Sequence, residues 1–214
     1  DEKVMGFYST THSGIGVDVQ EGGGVNNPIG LTATYSDPDG QDDILAIYVW
    51  WNTSSIKTFT TPDKIGTGDK ETTSNDNFGF MISRDEIGGT WNKVYVPGGG
   101  DIFVEAGSIS EAITIYGSGG ERMVVLDSIS VVDQGTNEIH LELTMEFITN
   151  TGDTVSSADY YLWGMANDYA GFTEFEEDGN IKDNDKWENS DTTWSLDMVK
   201  PIIDPPSTST SGDD

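Results

Sequence analysis

Two stretches of the sequence concentrate the oxygen-bearing side chains that hard cations favour. The first, YSDPDGQDDI (Tyr35 to Ile44), holds Asp37, Asp39, Asp42 and Asp43 around a Pro and a Gly. The second, DYAGFTEFEEDGNIKDNDKWENSD (Asp168 to Asp191), holds Asp168, Glu174, Glu176, Glu177, Asp178, Asn180, Asp183, Asp185, Glu188 and Asp191. Only Lys182 and Lys186 oppose them. Calcium takes about six to eight oxygens from carboxylates, carbonyls and water in a flexible cage. Asp37 and Asp39, at i and i+2, can face the same way from a turning backbone, and Gly40 permits a positive φ that would turn a carbonyl inward. In the second stretch Asp178, Asn180, Asp183 and Asp185 have spacings a loop cage can use. The expected metal ligands are therefore Asp37, Asp39, Asp42, Asp43, Asp168, Asp178, Asn180, Asp183 and Asp185, with calcium as the ion.

A plainer reading stands beside this one. Asp-Pro-Asp-Gly is a good turn sequence without any metal: Pro38 presets φ, Asp37 makes an Asx-type bond and Gly40 closes the turn. Its Gly comes two residues too early for an EF-hand loop. DNDKWE (Asp183 to Glu188) starts like such a loop, then places Trp187 at the fifth position and Glu188 at the sixth. For the second stretch the plainer reading is a solvated acidic loop, and a cation bound within the loop is the preferred one. The turn alone explains Pro38 and Gly40 but leaves Asp42 and Asp43 unexplained. A cation between the two stretches requires that they share one end of the fold.

Other chemistry finds little support. The sequence has no GxSxG, no Walker loop and no dinucleotide glycine pattern. Its histidines, His12 and His140, are far apart in sequence, which argues against a transition-metal site or a Ser-His-Asp triad. Among 38 acidic residues, any pair chosen as a glycosidase dyad is arbitrary. No catalytic residue and no organic cofactor is expected. The six tryptophans offer either core anchors or a sugar-stacking platform. Asn52-Thr53-Ser54 is an N-glycosylation sequon, relevant only in a glycosylating host.

The elements that must hold these loops are strands. Glu138 to Phe147 alternates strictly: Ile139, Leu141, Leu143, Met145 and Phe147 against Glu138, His140, Glu142, Thr144 and Glu146. That is a half-buried antiparallel strand with one wet face. Asp133 to Asn137 (DQGTN) joins it to Met123–Val132 as a hairpin. Further strands are expected at Val4–Tyr8, Ile15–Gln20, Ile29–Tyr35, Ile44–Trp51, Phe78–Ser83, Trp91–Val96, Ile102–Glu105, Ala112–Tyr116 and Tyr160–Ala166. ILAIYVWW (Ile44–Trp51) is apolar on both faces and reads as a central strand. Alternation sends Trp50 and Trp51 to opposite faces. Ser83 to Gly89 allows one helical turn at most. Many strands with turn-rich gaps indicate an all-β antiparallel sandwich with long acidic and Gly-rich loops, including Gly22–Gly24 and Gly98–Gly100. One domain over 1–199 is expected, with a division near Pro97–Gly100 as the alternative. Residues 200–214, rich in Pro, Ser and Thr, read as a linker or tail.

A formal charge of −28 excludes nucleic acid and anionic membrane surfaces as partners, because both would repel the chain. No apolar run approaches spanning length, so membrane insertion is not expected. The chain has no cysteine, which leaves stability to the core, to metal or to assembly. The start at Asp1-Glu2-Lys3 fits a mature chain whose export signal has been removed, and fits a trimmed one equally.

TATYSDPDGQDDILAIYVWWN (Thr32 to Asn52), YLWGMANDYAGF (Tyr161 to Phe172) and WSLDMVKPIIDPP (Trp194 to Pro206) together resemble bacterial and archaeal cell-surface Ig-like modules. Those modules carry an Asp-Pro-Asp-Gly turn early, an Asp-x-x-Gly near the last strands, here Asp168 to Gly171, and a Pro-containing linker. The resemblance covers the two ends of the chain and not the middle, roughly Thr58 to Gly120. It implies an Ig-like sandwich and an extracellular or cell-surface location. The expected role is a non-catalytic structural subunit of a surface filament, sheath or adhesin-like array, stabilised by calcium and partnered by copies of itself or neighbouring modules. Two alternatives remain: a carbohydrate-binding module that stacks glycans on exposed aromatics, and a halophile surface protein that uses its acids for hydration alone.

Overall fold

A computed structural model describes residues 5–9, 17–20, 29–36, 40–56, 59–62, 64–86, 88–148, 155, 158–168, 188–189 and 194–199. In chain order the strands are β1 (Met5–Ser9), β2 (Val17–Gln20), β3 (Ile29–Ser36), β4 (Ile44–Asn52), β5 (Lys64–Gly66), β6 (Asn77–Arg84) and β7 (Trp91–Gly98). They continue with β8 (Ile102–Ser108), β9 (Ile113–Tyr116), β10 (Arg122–Gln134), β11 (Glu138–Phe147), β12 (Ala158–Asp168), β13 (Glu188–Asn189) and β14 (Trp194–Val199). A 3-10 turn, Gln41–Asp43, leads into β4. The protein is an all-β sandwich, as its alternation predicts. A five-stranded sheet runs β1-β3-β11-β10-β9, and a nine-stranded sheet runs β2-β14-β12-β4-β6-β7-β8-β5, with β13 beside β12.

The alternation of β11 places Ile139, Leu141, Leu143, Met145 and Phe147 in the core between the sheets. Each such side chain contributes about 1.5–3 kcal/mol before its entropy cost is subtracted. From the other sheet, Ile47, Val49 and Trp51 of β4 and Phe78, Phe80 and Ile82 of β6 fill the same layer. Trp51 stacks on Phe78 with centroids 5.4 Å apart. A hydrogen bond also crosses the core, with the Tyr35 hydroxyl donating to the Tyr48 carbonyl at 2.9 Å. Burial pushes the Tyr35 phenol up, so it stays protonated and able to donate.

The doubly apolar sequence of β4 has a structural reason. Its other face builds a second cluster on the outside of the nine-stranded sheet, containing Tyr48, Trp50, Phe59, Phe103, Trp163 and Met165 among others. Trp50 and Trp51 thus point to opposite faces, and both are buried. Trp50 lies against the β6 backbone at Gly79, where a Cβ would come within 2.4 Å of the indole and 2.2 Å of the Val49 carbonyl. Phe59 stacks on Trp50 at 6.3 Å and meets Trp163 edge-on at 5.3 Å. The segment between β4 and β6 therefore roofs this face.

Strand limits follow the expected ones closely, with three differences. β5, β13 and β14 were not expected as strands; β5 and β13 are too short for alternation to register. The segment 83–89 forms no helical turn among its described residues, because β6 continues through Arg84. Pro97 and Gly98 end β7, and Gly99–Asp101 turn the chain into β8, which pairs with it.

The outer face of the five-stranded sheet is polar. There Glu146 titrates above an ordinary glutamate, through desolvation first and through the neighbouring Asp127 carboxylate next. An acid whose folded pKa is raised binds more protons folded than unfolded. Its contribution therefore falls as pH rises from the ordinary glutamate value through the folded one. Glu146→Gln should accordingly gain stability relative to the parent as pH rises across that window, read from urea midpoints; a pH-independent difference would contradict it. Gly79→Ala should destabilise by about 1–3 kcal/mol through overpacking against Trp50, and an unchanged urea midpoint would contradict the fit described here.

Candidate functional site

The acidic turn is positioned by an arginine. Along β6 the inward residues are Phe78, Phe80 and Ile82, and Arg84 continues that alternation at the rim of the core. Its side chain is 0% exposed. A buried guanidinium needs acceptors for its N–H groups, and the turn supplies them. Nε donates to the Ile44 carbonyl at 2.7 Å, and a terminal nitrogen donates to the Gln41 carbonyl. The other terminal nitrogen donates to Asp133 Oδ2 at 3.1 Å. The guanidinium carbon sits 4.6 Å from the centroid of the Trp91 ring, a cation–π contact. Trp91 Nε1 completes the group by donating to Asp133 Oδ1 at 3.1 Å.

This group joins the two sheets. Arg84 and Trp91 belong to the nine-stranded sheet, and Asp133 belongs to β10 in the five-stranded one. The backbone adds a link, with Gln41 N–H donating to the Thr136 carbonyl at 3.1 Å. The turn before β4 is therefore docked on the β10–β11 hairpin. Gly40 enters it at φ 130°, in a region that favours glycine.

The expected ligands divide as follows. Asp42 is exposed, and its carboxylate lies 3.7 Å from the place a Cβ on Gly88 would occupy. Asp43 ends the 3-10 turn. Asp168 ends β12 and is the register partner of Ile44, across a β-bulge that skips Leu45. The second acidic stretch thus begins beside the residue that follows Asp43. Asp168, the first residue of the second stretch, thus lies at the same end of the sandwich as the turn before β4. Asp37, Asp39, Asp178, Asn180, Asp183 and Asp185 lie outside the described residues. Among the described residues no group of three or more His, Cys, Asp or Glu is gathered closely enough to hold a metal.

Other acids at this end are already engaged. Asp85 accepts from Asn92 Nδ2 at 2.8 Å and pairs with Lys93 at 3.1 Å. The Asn92 hydrogen bond first, then that from Lys93, holds its carboxyl below the usual range. Asp133 is taken by Arg84 and Trp91. Next to Asp168, Asn167 is 1% exposed; its Nδ2 donates to the Tyr48 hydroxyl at 3.0 Å, while its Oδ1 has no partner among the described residues.

The remaining candidates are structural where they are described. Trp50, Trp51, Trp91 and Trp163 are all buried. The large exposed hydrophobics among the described residues are Ile56 and Val132, neither of them aromatic. The sequon residue Asn52 is 7% exposed; its Oδ1 accepts from Ser54 N–H at 2.8 Å and its Nδ2 lies 3.4 Å from Asn77 Oδ1. His140 pairs with Glu138 at 3.3 Å on the polar face. No helix among the described residues is long and apolar enough to cross a membrane.

Arg84 escaped sequence reasoning, although a signal was present. It is one of two arginines in the chain, and it sits in phase with three apolar residues. A charge at a core-phase position must find partners, and the nearest carbonyl-rich element is a turn.

Arg84→Met should cost about 3–5 kcal/mol, because it strands the Asp133 carboxylate and the carbonyls of Gln41 and Ile44. Asp42→Asn should stay within about 0.5 kcal/mol of the parent, as an exposed substitution. Chemical denaturation of the two variants checks both; equal losses would mean that the turn depends on its acids and not on Arg84.

No protein-family model matches the chain, and no curated protein sequence matches it.

Proposed function

We propose that this protein is a non-catalytic extracellular structural module, an Ig-like sandwich that assembles with copies of itself or neighbouring modules at a cell surface. The single observation that carries this reading is the strand order. One sheet runs β1-β3-β11-β10 and the other runs β14-β12-β4-β6-β7. An Ig-like sandwich has strands A, B, E and D in one sheet and G, F and C in the other, with extra strands C′ and C″ beside C in the variable type. Assigning β1, β3, β4, β10, β11, β12 and β14 as A, B, C, D, E, F and G reproduces those neighbours, and β6 and β7 take the C′ and C″ positions. β6 and β7 carry the match into the middle of the chain, which the sequence resemblance leaves uncovered, while β2, β5, β8 and β9 are additional to it.

Calcium is the ion proposed for the end where the turn meets Asp168. Arg84 satisfies the turn's carbonyls and leaves the Asp42 carboxylate exposed. A chain of net charge −28 has strong self-repulsion there, and a divalent cation lowers it. Cation binding between modules would then join acidic ends that otherwise repel. The glycan-binding alternative needs coplanar exposed aromatics, and the buried tryptophans of β4, β7 and β12 give it no support.

Light scattering with millimolar calcium, then with excess chelator, tests the reading. Calcium should raise the mean particle mass and chelator should reverse it, with Asp42→Asn blunting the response. A mass indifferent to both additions, with stability tracking monovalent salt alone, would favour acids used only for hydration.

A further inference from the structure

We infer that the bare edge of β10, residues 128–134, is a surface through which two copies of this chain pair, strand against strand, about a two-fold axis at Val131. This deepens the reading above by naming one contact between copies, and that contact needs no calcium.

The open edge comes from a mismatch in strand length. β10 runs Arg122–Gln134, whereas β9 runs only Ile113–Tyr116. On its β9 side β10 is paired from Arg122 to Leu126 and no further. At the same place a β-bulge interrupts the β11 ladder, between Leu126 and Ser128. Past the bulge β10 is paired with β11 from Ser128 to Gln134, and among the described residues no strand pairs with its other edge there. Such an edge presents unpaired N–H and C=O groups to any strand that arrives.

Several of the usual protections are missing from it. Residues 128–134 read Ser-Ile-Ser-Val-Val-Asp-Gln, without Pro, Gly or Lys. Ile129, Val131 and Val132 favour extended backbone. Val132 is 51% exposed, one of two large hydrophobics that stand out from the described surface. The borders of the nine-stranded sheet, by contrast, each carry a charge: Asp18 in β2 and Lys64 in β5.

Charge selects a second copy and sets its register. At a net charge of −28 copies repel one another over most of their surface, so a contact between them forms where charge is absent or cancelled. Within residues 128–134 only Asp133 is charged, and Arg84 pairs with it at 3.1 Å. An antiparallel pairing centred on Val131 sets Val131 against its own counterpart, Ser130 against Val132, Ile129 against Asp133 and Ser128 against Gln134. Asp127 falls outside this ladder, and no two acids stand opposite each other. A register centred on Ser130 would instead oppose Asp127 and Asp133. Alternation puts Ser128, Ser130, Val132 and Gln134 on the outer face, so the two exposed Val132 side chains become diagonal neighbours across the axis. The acids of β11 lie one strand further away. Use of the same patch by both copies gives a closed pair, the commonest arrangement of identical subunits.

Sedimentation in chelator tests the pairing. Mean mass should rise from monomer toward dimer with protein concentration, and rise further at about 1 M monovalent salt, where the screening length is about 3 Å. Val132→Lys puts like charges on the diagonal positions and should weaken the dimer several-fold, with its urea midpoint close to the parent's because the site is exposed. A chain without cysteine lets cross-linking read the register. Directly opposed Cα atoms are about 4.5–5.5 Å apart, within the span of a disulfide. Ser130→Cys protein mixed with Val132→Cys protein should therefore oxidise to a linked dimer several-fold faster than Ser130→Cys mixed with Ile56→Cys, an exposed site elsewhere. A monomer at every concentration and salt, or equal cross-linking rates, would overturn the pairing. A dimer in chelator that grows no further in calcium would keep this contact and remove the calcium-joined array. Growth in calcium of a protein that is monomeric in chelator would do the reverse.

Discussion

The fold turns on one buried guanidinium. Arg84 occupies a core-phase position where a neutral side chain would ordinarily sit, and its burial is tolerated because three acceptors and an aromatic ring surround it. Those acceptors come from the turn before β4 and from the β10–β11 hairpin, so satisfying one charge closes the end of the sandwich. The cost of leaving such a charge unpaired far exceeds the benefit of any single surface ion pair. The turn, the hairpin tip and the start of the central strand are therefore positioned by the same demand.

This changes the meaning of the acidic turn. The carbonyls of Gln41 and Ile44 are met by a cation from the protein itself. The acids that Arg84 leaves alone are those the turn itself does not need. Asp42 is exposed, and Asp43 lies in sequence next to Ile44, the register partner of Asp168. Asp133 is bonded to Arg84 and Trp91 within the fold, while the Asp42 carboxylate is exposed.

Much of the sandwich was legible in the sequence. β11 announces its buried face through strict alternation, and β4 announces its central place by being apolar on both faces. Alternation sends the side-by-side tryptophans to opposite faces, and each is buried in its own apolar cluster. What escaped was set by tertiary context. The role of Arg84 depends on carbonyls about forty residues away, at a separation local patterns do not reach. β14 reads as the lead into a linker, since only its pairing with β12 and β2 makes it a strand. The sequence poses the meeting of the two acidic stretches as a condition, and the register of β12 against β4 places the first residue of the second stretch, Asp168, beside Ile44.

The central claim is that Arg84 secures the turn while the neighbouring acids remain available to an outside cation. Crystals grown with calcium, or soaked with a lanthanide in its place, test it most directly through anomalous density. The account predicts an ion beside Asp42, Asp43 and the end of β12, with Arg84 still bonded to the carbonyls of Gln41 and Ile44. An ion bound by those two carbonyls with Arg84 displaced, or no ion at this end at millimolar calcium, would contradict it.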